Sequence, residues 1–358
     1  MRIAYDVSPL SHQRAGVGNY ILCSLRGLVE AGGDVVAFAP VSARGKRQVE
    51  QALDGLDIER RLSVLPAAHA WRTAWSRLRR PAAERWLGGF DVLHFSDWMY
   101  PPQSAGVRAT TIHDLVPLRF PEWTHGRTVR MHRAKYRHAA RAAHLFLCNS
   151  RFTAREVEGL LHVEPERIAV AYPAAAPLFA VDGGRADLAR PYALTVATLE
   201  PRKNLDTLLE AHALLGDGLA LAVVGAAGWG PQPRLDRPGV IRLGYVDDLE
   251  LARLYRGAEV FVYPSRFEGF GIPVLEAMAS GVAVVASAHQ SLDESCGDAA
   301  VRVDPESAEA IASGIEEALR RRNELVPLGR AHAAKFTARG MGEGFLSAYR
   351  EALARLGS

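Results

Sequence analysis

The sequence predicts an α/β protein built from two doubly wound parallel sheets, and three observations carry that expectation. Short apolar, β-branched runs alternate with helical segments, the pattern of a parallel sheet with helices on both faces. The alternation occurs twice, on either side of a stretch with little periodicity. The chain has 358 residues, more than one hydrophobic core usually supports, so two domains are expected. At 48% hydrophobic and 23% charged residues, the composition is that of an ordinary globular protein with ample core.

Taken in order, the first half offers candidate strands at residues 3–7, 35–39, 92–95, 110–113, 145–148 and 168–171, with helices after Gly18 and over 128–143. The second half repeats the pattern with strands at 192–197, 219–224, 240–243, 260–263, 282–287 and 300–303. Between them, residues 172–191 are rich in Ala, Pro and Gly and read as connecting chain. The expected division is a first domain over 1–175, a linker over 176–190, a second domain over 191–340 and a final helix over 341–358. Two Rossmann-like domains facing each other across a cleft follow, with ligands at the carboxyl ends of strands.

The densest chemistry lies in Glu268-Gly-Phe-Gly-Ile-Pro-Val-Leu-Glu276. The apolar run over 258–263 before it reads as a buried strand. Gly269 and Gly271 let the backbone turn sharply and approach a ligand without interference from a Cβ. Pro273 suits the first position of a helix, where a missing N–H costs nothing. Strand, glycine loop and helix start together make an anion site, with free N–H groups and the positive helix end aimed at a phosphate. Glu276 is placed in the first turn of that helix and Glu268 in the loop, so that both face one pocket. A first-turn acid is also an ordinary dipole partner worth a few tenths of a kcal/mol. That explanation stays open for Glu276 and fits Glu268 poorly. Carboxylates accept hydrogen bonds from hydroxyls, so a ligand bearing phosphate and many hydroxyls, such as a nucleotide sugar, suits the pair.

The longer run Pro264-Ser-Arg-Phe-Glu268-Gly-Phe-Gly-Ile-Pro-Val-Leu-Glu276-Ala-Met-Ala-Ser-Gly281 resembles the signature of retaining glycosyltransferases of family four, which adopt the GT-B fold. Other segments agree in order: Gly16-Val-Gly18-Asn-Tyr, Thr111-Ile-His113-Asp114-Leu, Asn149-Ser150-Arg-Phe-Thr, Val196-Ala-Thr-Leu-Glu-Pro-Arg202-Lys203-Asn, Leu243-Gly-Tyr245-Val246 and Gly297-Asp-Ala-Ala. The resemblance implies that the final helix crosses back onto the first domain. It also implies that His113 positions the donor sugar and stabilises an oxocarbenium-like centre, in part through its backbone carbonyl. Glu268 would take the hydroxyls of the transferred sugar and Glu276 those of the ribose. Lys203 would hold the donor diphosphate. Many relatives pair that lysine with an arginine where this chain has Thr198, and Arg202 is expected to substitute. Gly16, Gly18, Val246, Phe270, Gly271 and Ile272 complete the donor-binding set. The implied reaction moves a hexose from a nucleotide-diphosphate sugar to a glycan or lipid-linked acceptor with retention of configuration. The style of the motifs is similar to that of bacterial polysaccharide mannosyltransferases, which implies GDP-mannose as donor.

The chain contains no Asp-x-Asp motif, so no metal and no cofactor are expected. The leaving diphosphate would instead be met by Arg202, Lys203 and the helix start after Phe270. A nucleotide-sugar 2-epimerase shares the fold, and a non-catalytic nucleotide-sugar-binding protein is a further alternative. A dinucleotide-dependent oxidoreductase is disfavoured, because the third glycine of its fingerprint is replaced by Ile21.

Net charge is only +3, yet it is unevenly spread. No acidic residue lies between Glu122 and Glu156, an interval holding Arg127, Arg130, Arg133, Lys135, Arg137, Arg141, Arg151 and Arg155. Such a block over 127–155 is either a solvated helix face or a surface for an anionic partner, phosphate or lipid. Nucleic acid is not expected, since no binding-module pattern accompanies the charge. Over 71–86, Trp71, Trp75, Leu78 and Trp86 are interleaved with Arg72, Arg77, Arg79, Arg80 and Arg85. That stripe would either lie at a lipid headgroup surface or pack into the domain. Cys23, Cys148 and Cys296 stand far apart and read as buried thiols of a reducing compartment. The chain enters a strand at once, and no apolar run approaches the ~20 residues of a membrane span. A cytoplasmic protein, at most peripheral to a membrane, is the expectation.

Overall fold

The computed structural model describes residues 1–12, 16–78, 80–96, 100–228, 230 and 232–357; of the residues singled out above, Arg79 lies outside these. The chain divides into two compact units. The first comprises Met1–His113, Ala134–Pro173 and Thr337–Ser358, and the second Asp114–Arg133 and Ala174–Phe336.

The first part of the chain runs β1 (Arg2–Asp6), α1 (Gly16–Glu30), β2 (Asp34–Val41), α2 (Ala43–Ala52), β3 (Glu59–Val64), α3 (Ala68–Leu78), α4 (Glu84–Leu87), β4 (Val92–Phe95), β5 (Val107–Ile112), α5 (Val116–Arg119), α6 (Gly126–Ala142), β6 (Leu145–Cys148), α7 (Arg151–Leu161) and β7 (Ile168–Val170). Its strands form one parallel sheet in the order β3-β2-β1-β4-β5-β6-β7. The order reverses between β1 and β4, which opens a crevice beyond their carboxyl ends. β1 and β4 are almost wholly buried and are legible as apolar runs. β3 is an edge strand, Glu-Arg-Arg-Leu-Ser-Val, with no buried position. Its charges blunt a sheet edge and hide it from a reading that looks for continuous apolar runs.

The second part runs β8 (Tyr192–Val196), α8 (Leu205–Leu214), β9 (Ala220–Val224), β10 (Val240–Gly244), α9 (Asp248–Gly257), β11 (Val260–Tyr263), α10 (Ile272–Ala279), β12 (Ala283–Ser287), α11 (Asp293–Cys296), β13 (Ala300–Val303), α12 (Ala308–Arg320), α13 (Arg322–Ala333) and α14 (Ala338–Gly357). The sheet order is β10-β9-β8-β11-β12-β13, all parallel. Here the reversal falls between β8 and β11. Leu208 and Leu209 of α8, Val262, Val285, and Ile311 and Ile315 of α12 pack one face of this sheet. Residues 176–190 are tied into the second unit: Phe179 meets Tyr255 edge-on at 5.6 Å, and Arg256 donates to the carbonyls of Leu178 and Ala180.

α14 returns to the first unit and packs along α1. Gly27 and Gly342 make that approach possible, because a Cβ on Gly27 would stand 2.0 Å from the Ala338 carbonyl oxygen. A Cβ on Gly342 would stand 1.9 Å from that of Gly27.

The tryptophans of 71–86 pack into the domain, the second of the two alternatives for that segment, while Leu78 is exposed. Trp75 is 3% exposed and clusters with Phe38, Leu87 and Leu93, while Trp71 and Trp86 pack against that cluster. The Trp75 indole N–H donates to the Pro81 carbonyl at 2.7 Å. Burying such large apolar rings takes them out of water and stabilises the domain. Arg72 is buried with them, at 4% exposed, close enough to Asp6 to feel its charge. Lys135 is likewise buried, with its ammonium 4.7 Å from the centre of the Tyr136 ring. Cys148 and Cys296 are buried free thiols and Cys23 is a half-buried one.

Candidate active site

At the switch point of the second sheet, two loops bring opposite charges together. The chain leaving β8 makes a tight turn over Pro201–Lys203, and the chain leaving β11 runs through Pro264 to Glu268. Lys203 Nζ donates to Glu268 Oε1 at 2.6 Å and to the Tyr263 hydroxyl at 2.7 Å. Arg202 Nη1 donates to Glu268 Oε2 at 2.8 Å, and its Nε donates to Glu200 at 2.9 Å. The Tyr263 hydroxyl also donates to Glu268 at 3.0 Å. From the short turn after β12, the Ser291 hydroxyl accepts the Glu268 backbone N–H at 3.1 Å and stands 2.8 Å from His289 Nδ1.

Charge states follow from this packing. Burial opposes ionisation of Glu268, but Arg202 and Lys203 overcome it and hold the carboxyl at about 2. Burial, aided by Arg202, pulls the Lys203 ammonium below its ordinary value although Glu268 opposes the shift. Arg202 is driven upward, since Glu268 and Glu200 together outweigh its burial. The result is a buried, internally paired cluster of two cations and two carboxylates. An anionic ligand arriving there competes with groups the protein supplies itself.

The glycine loop leads from Glu268 into α10. Gly271 has φ of +95°, and a Cβ there would lie 2.5 Å from Leu292 Cδ2, so only glycine fits. α9 and α12 are capped by the side chains of Asp247 and Ser307, whereas α10 has no side-chain cap. The Val274 N–H is taken by the Gly271 carbonyl at 3.0 Å and Pro273 has none to give, so what the start of α10 offers an anion is chiefly its positive dipole end. Pro273 is the second helical residue rather than the first, and Glu276 is the fifth, beyond the first turn. This corrects the dipole-partner placement of Glu276. Its carboxylate instead accepts from the Tyr255 hydroxyl at 3.0 Å. Burial raises the Glu276 carboxyl to about 7, against the Tyr255 hydrogen bond. Ile272 opens the helix half-buried. The Phe270 ring, 1% exposed, packs on Phe336 at 5.5 Å. Val246 lies half-buried in the turn between β10 and α9. Thr198 is half-buried just after β8.

In the first unit, His113 is the residue immediately after β5. Its ring meets Tyr20 edge-on at 4.7 Å, and its carbonyl accepts Asn149 Nδ2 at 2.9 Å. Gly16 and Gly18 are the first and third residues of α1. They do not form a free loop after β1, because a short turn over Ser8–Ser11 intervenes. Val17 and Ile21 of α1 line a small cavity with His113, Asp6, His94 and Ser96. Asp6, at the end of β1, accepts from the Ser8 backbone at 2.9 Å and from its hydroxyl at 2.6 Å. The Ser96 hydroxyl donates to it as well.

Arg202, Lys203 and Glu268 thus share one cluster, Glu276 stands on the helix that follows, and His113 shares its crevice with the start of α1. Sequence reasoning missed Glu200, Tyr255, Tyr263 and Ser291. Tyr263 carried a usable signal, as the last residue of a buried strand at a switch point. Ser291 carried none.

Two parallel-sheet α/β units, each with polar side chains gathered at its switch point, make up the architecture of the GT-B fold. The family profile described as Glycosyltransferase Family 4 matches residues 14–176, and that described as Glycosyl transferases group 1 matches 183–333. The chain belongs to this glycosyltransferase family. It is 31% identical over 353 residues to O-antigen chain mannosyltransferase B of Escherichia coli, spanning 89% of this chain and 91% of the relative. Among solved structures it resembles sucrose-phosphate synthase of Thermosynechococcus elongatus, with TM-score 0.70, 20% identity and 99% of each chain covered. It also resembles Anabaena HepE in complex with UDP-glucose, with TM-score 0.72 and 16% identity over 97% of this chain and 98% of that one. At these identities the structural likenesses establish the fold.

Proposed function

We propose that the protein is a retaining mannosyltransferase that moves mannose from GDP-mannose to a glycan or lipid-linked acceptor in surface polysaccharide assembly. The observation that carries this reading is the Arg202–Lys203–Glu268 cluster, set at the second switch point beside the uncapped start of α10. Arg202, Lys203 and the positive end of α10 supply the charge that a departing diphosphate needs, fixed in advance in a water-poor site. No divalent metal is required on that account. Arg202 stands in for the arginine that relatives carry at the Thr198 position. Glu268, released from the cations when the diphosphate takes them, turns to the hydroxyls of the transferred sugar. Glu276 holds the ribose, and Gly16, Gly18, Val246, Phe270, Gly271 and Ile272 shape the remainder of the donor site. His113 positions the sugar and faces the developing positive charge with its carbonyl. Attack by the acceptor on the same face as the leaving group, with a departing phosphate oxygen taking the proton, needs no separate protein base. The mannose assignment rests on the likeness to the Escherichia coli mannosyltransferase.

A donor panel tests the reading. GDP-mannose is expected to raise the melting temperature most, since a bound ligand stabilises by mass action. Transfer to an α-mannoside acceptor should proceed in excess EDTA, with the α configuration retained by NMR. A stronger response to another donor overturns the mannose assignment. Activity abolished by EDTA and restored by Mg²⁺ overturns metal independence.

A further inference from the structure

We propose that Asn149 is a positioning residue of the transfer reaction: its Nδ2 fixes the His113 carbonyl, and its Oδ1 takes a hydroxyl of the sugar being moved. This rests on the reading of His113 given above.

Strand register puts the two residues side by side. β5 and β6 pair with Ile112 opposite Cys148, so His113 and Asn149 are the first residues beyond two hydrogen-bonded neighbours. The backbone of Asn149 is held on its other side as well, because Ser150 caps α7 by accepting the Thr153 N–H at 2.9 Å. Asn149 is 6% exposed. Its Nδ2 donates to the His113 carbonyl at 2.9 Å, which determines how the amide is turned. The opposite orientation would set two acceptor oxygens against each other. The remaining amide atom must then be Oδ1, and it is buried with no partner among the described residues.

A buried acceptor left without a donor costs about 1–3 kcal/mol. A loop staple alone gains nothing from that expense, since a serine or threonine hydroxyl could also donate to the carbonyl and leave fewer atoms orphaned. An asparagine is favoured where one donor and one acceptor are needed side by side. The donor is used on His113. The acceptor calls for an O–H, and sugar hydroxyls are the donors this reaction brings to His113. Asn149 would then do two things at once: orient the carbonyl that faces the reacting carbon, and register the sugar against it.

The test uses Asn149→Asp, which keeps the acceptor and loses the donor, and Asn149→Ala, which loses both. Each is assayed with whichever of GDP-mannose, GDP-glucose, UDP-glucose and UDP-galactose the wild-type protein turns over fastest. Both should lower kcat by about a hundredfold. Affinity for the free nucleoside diphosphate, measured by calorimetry, should stay within about twofold of wild type. If kcat in both variants stays within about threefold of wild type, the role is wrong. Variants that fail to fold, or that lose nucleotide affinity in parallel with kcat, reduce Asn149 to a structural staple and also overturn the proposal. A wild-type preference for a donor other than GDP-mannose removes the mannose reading and leaves the Asn149 comparison intact.

Discussion

Glu268 divides its two oxygens between Lys203 and Arg202, so its loss is felt first as charge left unpaired. Removing one partner of a buried ion pair typically costs about 3–5 kcal/mol. Glu268→Ala should therefore lower unfolding stability by about 3 kcal/mol in urea titration, and should chiefly lower kcat, because the group acts on the sugar in transit. Glu276→Ala should instead raise KM more than it lowers kcat, since ribose binding is common to the ground and transition states. Equal losses of both constants in the two variants would contradict these separate roles. Glu276 also confers a pH dependence. Its carboxyl rises from an ordinary 4.5 to about 7 because it is buried. Between those values the folded protein holds a proton that the unfolded chain has released. Its contribution to stability is full below pH 4.5 and is lost as pH rises through about 7. Ribose hydroxyls need the ionised form as acceptor, so GDP affinity should increase from pH 6 to pH 8, roughly across this titration. Calorimetry in buffers of different ionisation enthalpy should show proton release on binding, and Glu276→Gln should abolish both effects.

The seam between α1 and α14 is set by glycines, and its sensitivity can be predicted from geometry. A methyl on Gly27 would lie 2.0 Å from a backbone oxygen, and no side-chain rotation relieves a clash with backbone. Gly27→Ala should destabilise the protein by about 3 kcal/mol, seen as a lowered urea midpoint. Tyr349 of α14 adds a polar tie, its hydroxyl 2.6 Å from His94 Nδ1, while His94 Nε2 lies 3.0 Å from the Thr111 hydroxyl on β5. Burial, with a smaller effect of His113, presses His94 down to about 3. The unfolded chain therefore takes up a proton that the folded protein refuses, and stability falls as pH drops from 6.5 towards 3. In His94→Gln that part of the acid sensitivity should vanish. Elements of this kind differ in how openly the sequence shows them. Strands β8, β11 and β12 are buried on both faces and stand out as apolar runs. β3, exposed and charged at the edge, does not. Nor does the glycine seam, because Gly27 and Gly342 are far apart in sequence and neither belongs to a local motif.

At the scale of the molecule, what was legible is what local order encodes. Glu268 through Glu276 is one continuous stretch, and the loop into α10 could be read from it directly. The pairing of Glu268 with Lys203 joins residues on β11 and β8 loops across a reversal in strand order. Only resemblance to a family, not spacing, could suggest it. The burial of Arg72 and Lys135 was hidden for a related reason: composition counts charges and does not say which face they occupy. This changes what a membrane-bound acceptor would require. Arg127, Arg130, Arg133, Arg137 and Arg141 of α6 are exposed, whereas the tryptophans of α3 pack inward. If the acceptor is lipid-linked, attraction to the bilayer should come from α6 and be electrostatic. Each such charge contributes about 1 kcal/mol near an anionic surface and decays within about a Debye length. Vesicles of phosphatidylglycerol and phosphatidylethanolamine should bind the protein at low salt and release it as salt rises, as sedimentation would show. Replacing Arg127, Arg130, Arg137 and Arg141 by Ser should weaken that binding by about a hundredfold or more and leave GDP affinity unchanged. Tryptophan emission should not shift on binding, because the indoles of α3 stay in the core. A blue shift would place those rings in lipid, and failure of the wild-type protein to bind anionic vesicles at low salt would leave a soluble glycan as the acceptor.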